Sequence, residues 1–522
     1  MASHDRRMPT VWLIGGGTES LVAASCLIHE AHVQGWQIHV LEGESQIKPF
    51  EGFSYGHSSR HPAPSASNIC NCSFYKSLVT DGNYAPAISH SKKTRPLSST
   101  RHDTEIFMSQ SQNFASQEHA WLKNRRDILY FLLQEEENFS NTSIQDVFES
   151  SIFETRFWKL FSSSFGLHPS HSALEFHRYI CKYMDEIVES RVTDRLHPVL
   201  DKSFANHLKP YLSARGVRFR DIRVTDIIFE LKSESSAVCY IQASEKIGNI
   251  LLPVATEDIV IVTIGSPTSG MVTGTTAAPP PATPSKAESL LDNNWRLWFA
   301  LAKKSQRFGN PSSFCTRLSE SRLGMFTVNL SSRQYTQIRA RSIEAYAGGH
   351  DNAFISESAW SLQVSFPGQL HFTDGVRGTC SIIGHCFTPD RLGHYVKKPM
   401  FTCSGDEVLA ELLGYLDIPG DDILLNATTR PIILPLGLSP LMRRDCGDRP
   451  EIIPRQTRNI ALIGQYVEMA EETALTMDYG IRSALTAVKQ LVGPSLYLTE
   501  VQKSFLSARY GHRSTGVNKK YI

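Results

Sequence analysis

An excess of charge of either sign is the first thing this chain lacks. In 522 residues, 53 Lys and Arg stand against 52 Asp and Glu, a formal net charge of +1. Such a balance creates no field to gather nucleic acid or an anionic bilayer, so nucleic acid is excluded as a partner and only a peripheral membrane contact stays open. Long apolar runs are missing too. Residues 1–10 are polar and basic, and the apolar stretch after them is broken by Gly15, Gly16, Gly17 and Glu19. Neither a cleavable leader nor a transmembrane segment is expected, and the expected location is cytoplasmic. The 10 cysteines are scattered, with no pair of pairs at zinc spacing. Free thiols and no metal site are therefore expected; Cys70 and Cys72 are the one close pair. No G-x-x-x-x-G-K-[ST] run exists, which argues against P-loop phosphoryl transfer. Ser266 stands in G-S-P-T, where the following proline removes the N–H an oxyanion hole would use, so a serine hydrolase is not expected. There is no internal repeat.

What is present begins at the two ends of the chain. Val11 to Ile14 reads as a buried strand, Gly15 to Gly17 as a tight turn and Thr18 to Ala31 as a helix. That order puts bare backbone N–H groups and the positive end of a helix dipole where a pyrophosphate could sit. Gln37 to Leu41 supplies a second strand, followed at once by Glu42, an acid suited to the hydroxyls of an adenine ribose. Ser20 takes the place of the third glycine of the usual fingerprint and is still small enough for close helix–strand packing. Near the other end, Asn459 to Glu468 is a second strand ending in glycine, at Gly464, followed by a helical pattern from Glu471 to Leu491. Large flavoproteins close the nucleotide domain around the flavin in this way, so the cofactor expected is FAD. The residues expected to hold it are Gly15, Gly16, Gly17, Thr18, Glu19, Ser20, Glu42, Gly464, Gln465 and Glu468.

A chain of this length exceeds a single core, and two or three domains are expected. Residues 43–101 are rich in Ser, His, Pro and Asn and read as a long loop. Helical patterns cover 117–136, a dense aromatic stretch from Phe153 to Phe165, 172–192 and 196–214; the aromatics form one helix face that suits a core and also an apolar substrate tunnel. Val217 to Phe229 alternates like a β pair, and Asp258 to Gly265 reads as a strand returning to a parallel sheet. After a Pro-rich linker at 273–285 come a Trp-bearing helix at 289–303 and strands of an antiparallel element at 323–330, 360–366 and 378–386. A helix over 407–416 and a loop over 429–450 complete the reading.

Several stretches carry a family likeness: F-E-T-R-F-W (153–158), H-P-S-H-S-A-L-E-F-H-R-Y (168–179), F-G-N-P (308–311), P-D-R-L-G-H-Y-V-K-K-P-M (389–400), G-D-R-P (447–450) and N-I-A-L-I-G-Q-Y-V-E (459–468). On these the chain resembles the oleate hydratase family, also called myosin-cross-reactive antigens, over about 117–491 and the N-terminal cradle. The resemblance implies an α/β, doubly wound (Rossmann-like) FAD-binding domain with an inserted α+β substrate domain and a helical lid. The expected boundaries are 1–50, 215–275 and 450–495 for the discontinuous FAD domain, 110–214 for a helical part and 288–449 for the substrate domain, with 495–522 as lid or tail. It also implies a homodimer, and addition of water across a cis double bond of a free unsaturated fatty acid, with FAD organising the site without net redox turnover.

Hydrating an unactivated alkene needs a proton donor and a base to activate water, placed on opposite sides. In that family the carboxylate lies in a glycine- and arginine-rich loop that falls here within 52–78, where it is not recognisable; Asn68 or Ile69 takes its place. The family's tyrosine aligns with His197, Pro198 and Val199, so the phenol is missing as well. The catalytic residues are therefore open, with His385, His168 and His171 as replacement candidates. The expected activity is an FAD-dependent hydro-lyase or isomerase on an unsaturated fatty acid or polyketide-like acid. The alternatives are an FAD-dependent oxidoreductase of lipid or specialised metabolism and a flavin- or lipid-binding protein that has lost catalysis.

Overall fold

The architecture is taken from a computed structural model that describes residues 9–43, 125–188, 202–232, 235–245, 248–284, 287–345, 352–355, 357–366, 379–470 and 472–492. Its organising element is a parallel sheet of five strands in the order β14-β7-β1-β2-β3. These are β1 (Val11–Ile14), β2 (Ile38–Leu41), β3 (Arg218–Arg220), β7 (Ile259–Thr263) and β14 (Ile460–Ile463). Apart from β3, they are short, mainly aliphatic runs that are almost wholly buried, which suits a parallel sheet sheltered between helices. Helix α1 (Thr18–His29) packs its small residues Ser20, Ala23 and Ala24 inward, and the C-terminal helix α8 (Met477–Val492) lies against it. From β1 the chain steps to β2 and β3 on one side, and later to β7 and β14 on the other. The order therefore reverses between β1 and β7, the position at which doubly wound sheets open a ligand crevice beyond their carboxyl ends.

Two further sheets follow. β4 (Arg223–Lys232), β5 (Ser235–Glu245) and β6 (Gly248–Pro253) form an antiparallel meander that packs into the same core as the parallel sheet. Six antiparallel strands, among them β10 (Asn352–Ile355) and β11 (Leu362–Ser365), make the third sheet, in the order β10-β11-β12-β9-β13-β8. Its centre is β9 (Leu323–Ser331), flanked by β12 (Thr379–Cys386) and β13 (Thr428–Leu434). Period-2 alternation feeds two separate cores. Leu323, Met325, Ile383, Ile432 and Leu434 face a helical layer, while Phe326, Val328, Ile382 and Ile433 face helices α6 (Ser332–Ala345) and α7 (Gly405–Tyr415) on the other side. The helical layer holds α2 (Arg156–Phe165) and α3 (Ala173–Val188). In it, Trp158, Phe161, Phe165 and Phe176 pack on one another and are buried, so the aromatic stretch is a core.

The structure departs from the sequence reading in several places. Residues 217–229 are not a β pair: β3 ends the parallel sheet and β4 starts the meander. Strands β5 and β6 had not been anticipated. Residues 429–450 are not all loop, because β13 runs through Pro431. The Pro431 carbonyl accepts the Gly274 N–H at 2.8 Å, on the side of the two-residue strand β8 (Val272–Thr273). A strand residue points its N and O the same way, so the N–H that proline lacks would have faced short β8 rather than β9. The C-terminal helix starts at Met477, not Glu471. Finally, helix α5 (Asn293–Lys304) buries Trp295 and Trp298 in the core of the parallel sheet, together with Phe308 and Phe314, rather than with the six-stranded sheet.

Candidate functional site

The crevice is lined by the turn after β1. Gly15 has φ +110° and donates its N–H to Leu41 O at 3.0 Å, fastening the turn to the end of β2. A side chain here would be strained, and its Cβ would lie 3.0 Å from Thr263 Cβ. At Gly16 a Cβ would come within 2.7 Å of Glu42 Cγ. Gly16 and Gly17 are exposed, and Gly17 caps α1 without any side-chain hydrogen bond. The first turn of α1 therefore offers backbone N–H groups and a positive dipole end; Gly17 contributes no side-chain cap, and the Glu19 carboxyl reaches back only to its own N–H.

Glu42 stands directly behind this turn. Its Oε2 pairs with Lys209 Nζ at 2.7 Å, while its Oε1 is buried without a hydrogen-bond partner. A buried acceptor left open beside a bare helix N-terminus matches the two ends of an adenosine diphosphate: hydroxyl donors for the acid, anionic oxygens for the amides. Helix α5 arrives at the same rim. Its cap Asp292 accepts the Trp295 N–H at 3.1 Å, and this entry sets Asn294 Oδ1 3.6 Å from the Gly15 Cβ position and Asn293 Nδ2 2.6 Å from that of Gly43. Lys209, Asn293 and Asn294 had not been identified from the sequence. The D-N-N-W start of α5 is a capping signal that could have pointed to the two asparagines.

The remaining expected cofactor residues divide. Ser20 is fully buried, its hydroxyl 2.9 Å from that of Thr263. Thr18 and Glu19 are half-buried on the first turn of α1. Gly464 has φ +114° and gives its N–H to Ser483 Oγ at 2.9 Å. Gln465 spends its amide on the chain just before α8, donating to Thr476 O and accepting from the Leu475 N–H, each at 2.9 Å. Glu468 belongs to a buried ionic cluster. One of its carboxylate oxygens meets Arg178 at 2.8 Å and the other Arg444 at 3.0 Å, while Glu175 takes Arg444 at 3.1 Å and Arg449 at 3.0 Å. Arg178 also forks onto Glu136. Three carboxylates thus meet three guanidiniums. Burial pushes the Glu468 carboxyl up, but Arg444, Arg178 and Arg449 outweigh it and hold the group below its ordinary range. Three of the stretches behind the family likeness, at 168–179, 447–450 and 459–468, converge on this clamp between α3 and the turn after β14.

The three histidines lie apart from the glycine turn. His171 accepts the His168 N–H on Nδ1 at 3.1 Å and its Nε2 donates to Glu320 O at 3.0 Å, so both ring nitrogens are used. Burial depresses it to about 3, with His168 adding to the effect, and depresses His168 to about 4. Both stay neutral at physiological pH, and the geometry of His171 is that of a structural pin. His385 is fully buried in β12, on the face toward the helical layer, stacked on Phe387 with centroids 6.3 Å apart. Asn68, Ile69 and residues 197–199, where the family's carboxylate and tyrosine would fall, lie outside the described residues. Among the described residues no cluster of His, Cys, Asp and Glu could hold a metal, and no helix is long and apolar enough to cross a membrane.

Comparison with known proteins supplies the context. The model of the MCRA family matches residues 9–489. The chain is similar to an oleate hydratase of Streptococcus pyogenes, 26% identical over 513 residues, with 92% of this chain and 84% of that protein covered. It is also similar to a linoleate hydratase of Lactiplantibacillus plantarum, 24% identical over 390 residues, with 69% and 67% covered. Among solved structures, cyclohexylamine oxidase from Brevibacterium oxydans aligns with 93% of this chain and 99% of its own at 13% identity and a TM-score of 0.48.

Proposed function

Since the chain belongs to the MCRA family, we propose that it is a fatty-acid hydratase-like enzyme that binds FAD in the crevice between β1 and β7. The observation that carries the cofactor half is the uncapped turn at Gly15 to Gly17 beside the open Glu42 carboxylate oxygen. In this reading the N–H groups of the first turn of α1 take the diphosphate, Glu42 takes the ribose hydroxyls, and Asn293 and Asn294 close the rim. Lys209 holds Glu42 in place through their ion pair. Bound flavin would supply a polar surface that organises the site for hydration without net redox turnover.

The substrate class rests on the relatives, an oleate and a linoleate hydratase. An unsaturated free fatty acid gains a proton on one alkene carbon and a water oxygen on the other, so the product is heavier by one water and no electrons are exchanged. Absorption spectroscopy of the purified protein, after incubation with excess FAD and desalting, tests the first half; a retained flavin band is expected, and its absence overturns it. Incubating the FAD-loaded protein with oleate and with linoleate, without NAD(P)H, tests the second by mass spectrometry. A hydroxy acid one water heavier is expected; an unchanged substrate, or turnover only with NAD(P)H or oxygen, overturns it.

A further inference from the structure

The first turn of α1 carries an acid where a diphosphate cradle gains nothing from one. Glu19 is the sole acidic residue of that turn, and it is half-buried. Two glycines make the space it occupies. A Cβ on Gly17 would lie 3.0 Å from Glu19 Oε2, and a Cβ on Gly480, in the first turns of α8, would lie 2.7 Å from Glu19 Oε1 and 2.9 Å from its Cγ. The carboxyl is thus seated in a notch between the glycine turn and α8, closed on both sides by residues without side chains. A carboxylate in this notch would face the anionic oxygens that the adjacent amides attract, and like charges at that separation repel.

We propose that Glu19 makes dinucleotide binding proton-coupled: the carboxyl is neutral whenever the diphosphate is seated, and a proton is taken up on binding at pH values where the free protein holds it ionised. The proposal rests on the reading of this crevice as an FAD site. Burial already raises the Glu19 carboxyl above its ordinary range, opposed only by its own backbone N–H. The charged groups around it are engaged elsewhere. Glu42 at the end of β2 pairs with Lys209 of α4 (Lys202–Ala214), and Arg482 of α8 pairs with Glu472. Lys489 lies in the last turn of α8 and His29 in the last turn of α1, both at the far ends of their helices. A second anion in the crevice raises the carboxyl further, so protonation and diphosphate binding favour each other by the same factor.

The test is the Kd for FAD, followed by quenching of flavin fluorescence from pH 5.5 to 8.5, in the wild-type chain, Glu19→Gln and Gly480→Ala. In the wild type Kd is expected to climb with pH, by up to about tenfold per unit where one proton is taken up. Glu19→Gln, an uncharged near-isostere, is expected to bind with a flat profile and more tightly than wild type at pH 8. Gly480→Ala, which puts a methyl against the carboxyl without removing it, is expected to keep a slope but displace its midpoint. A flat wild-type profile overturns the proposal, as does an unchanged slope in Glu19→Gln. Failure of the folded wild type to bind FAD at any pH overturns instead the assignment of the crevice to FAD.

Discussion

The turns that follow β1 and β14 begin alike, each with a glycine at positive φ closing a buried apolar strand, and are then completed by opposite means. After β1 the side chains are pruned away: Gly16 and Gly17 are exposed, α1 has no side-chain cap, and one oxygen of Glu42 is left open. After β14 every side chain is engaged. Gln465 is bonded twice, Tyr466 lies buried over Gly265 with its hydroxyl 2.7 Å from Ser439 Oγ, and Glu468 is held by two arginines. The turn proposed to receive the cofactor keeps its polar groups unspent, and the turn after β14 spends its own on the fold. Glycine at a strand end is therefore ambiguous until the residues after it are examined.

Removing charge from each turn should separate the two roles. Glu175→Ala should have the largest effect, because it leaves Arg444 and Arg449 short of a buried partner; a loss of about 3–5 kcal/mol is expected, read as a lower urea midpoint or as insolubility. If stability is unchanged, the cluster is not the clamp described above. Glu42→Gln should do the reverse, leaving the urea midpoint nearly unchanged while weakening FAD binding by about 1.5–3 kcal/mol, the scale of a hydrogen bond to a charged group, measurable by titration calorimetry. An equal loss of stability and affinity would erase the distinction between the two turns.

The clamp also predicts a pH dependence. The Glu468 carboxyl is depressed in the folded state, so its contribution is present above its ordinary value of 4.5 and is lost as pH falls through the lower folded value. Below about pH 4.5 the wild type should lose stability with a slope of up to about 1.4 kcal/mol per pH unit from this one group. Glu468→Gln should start less stable and show a shallower acid limb in urea titrations at each pH. An identical limb in both proteins would assign acid sensitivity elsewhere.

The parallel sheet could be read from the sequence because each of its central strands is a short β-branched or apolar run bounded by glycine or polar residues, and burial on both faces leaves such runs unbroken. β13 could not, since Pro431 signals a break and only the shortness of β8 makes it harmless. The meander β4 to β6 was obscured because β6 alternates weakly and ends on Pro253. At the site, Gly15 to Gly17 and Glu42 follow from local order alone, whereas Lys209, Asn293 and Asn294 come from elements far along the chain and are brought in by tertiary packing. The motifs at 168–179, 447–450 and 459–468 pointed to a family, yet the side chains they contribute here build the clamp.

The smallest expected effect tests the finest distinction, the one at Ser20. Its position in the fingerprint belongs to the proposed cofactor turn, but its hydroxyl bonds Thr263 on β7 in full burial, which makes it a tie between helix and sheet. Ser20→Ala leaves the Thr263 hydroxyl with a lost partner and should cost about 1–3 kcal/mol of stability with little change in FAD affinity. Adding Thr263→Val removes both halves of the bond while nearly keeping the shape, and should restore much of that loss, because replacing both partners by apolar groups is close to neutral. A double mutant as unstable as the sum of the two single mutants would deny the coupling. An affinity for FAD that falls more than tenfold in Ser20→Ala, at unchanged stability, would return Ser20 to the cofactor's side of the turn.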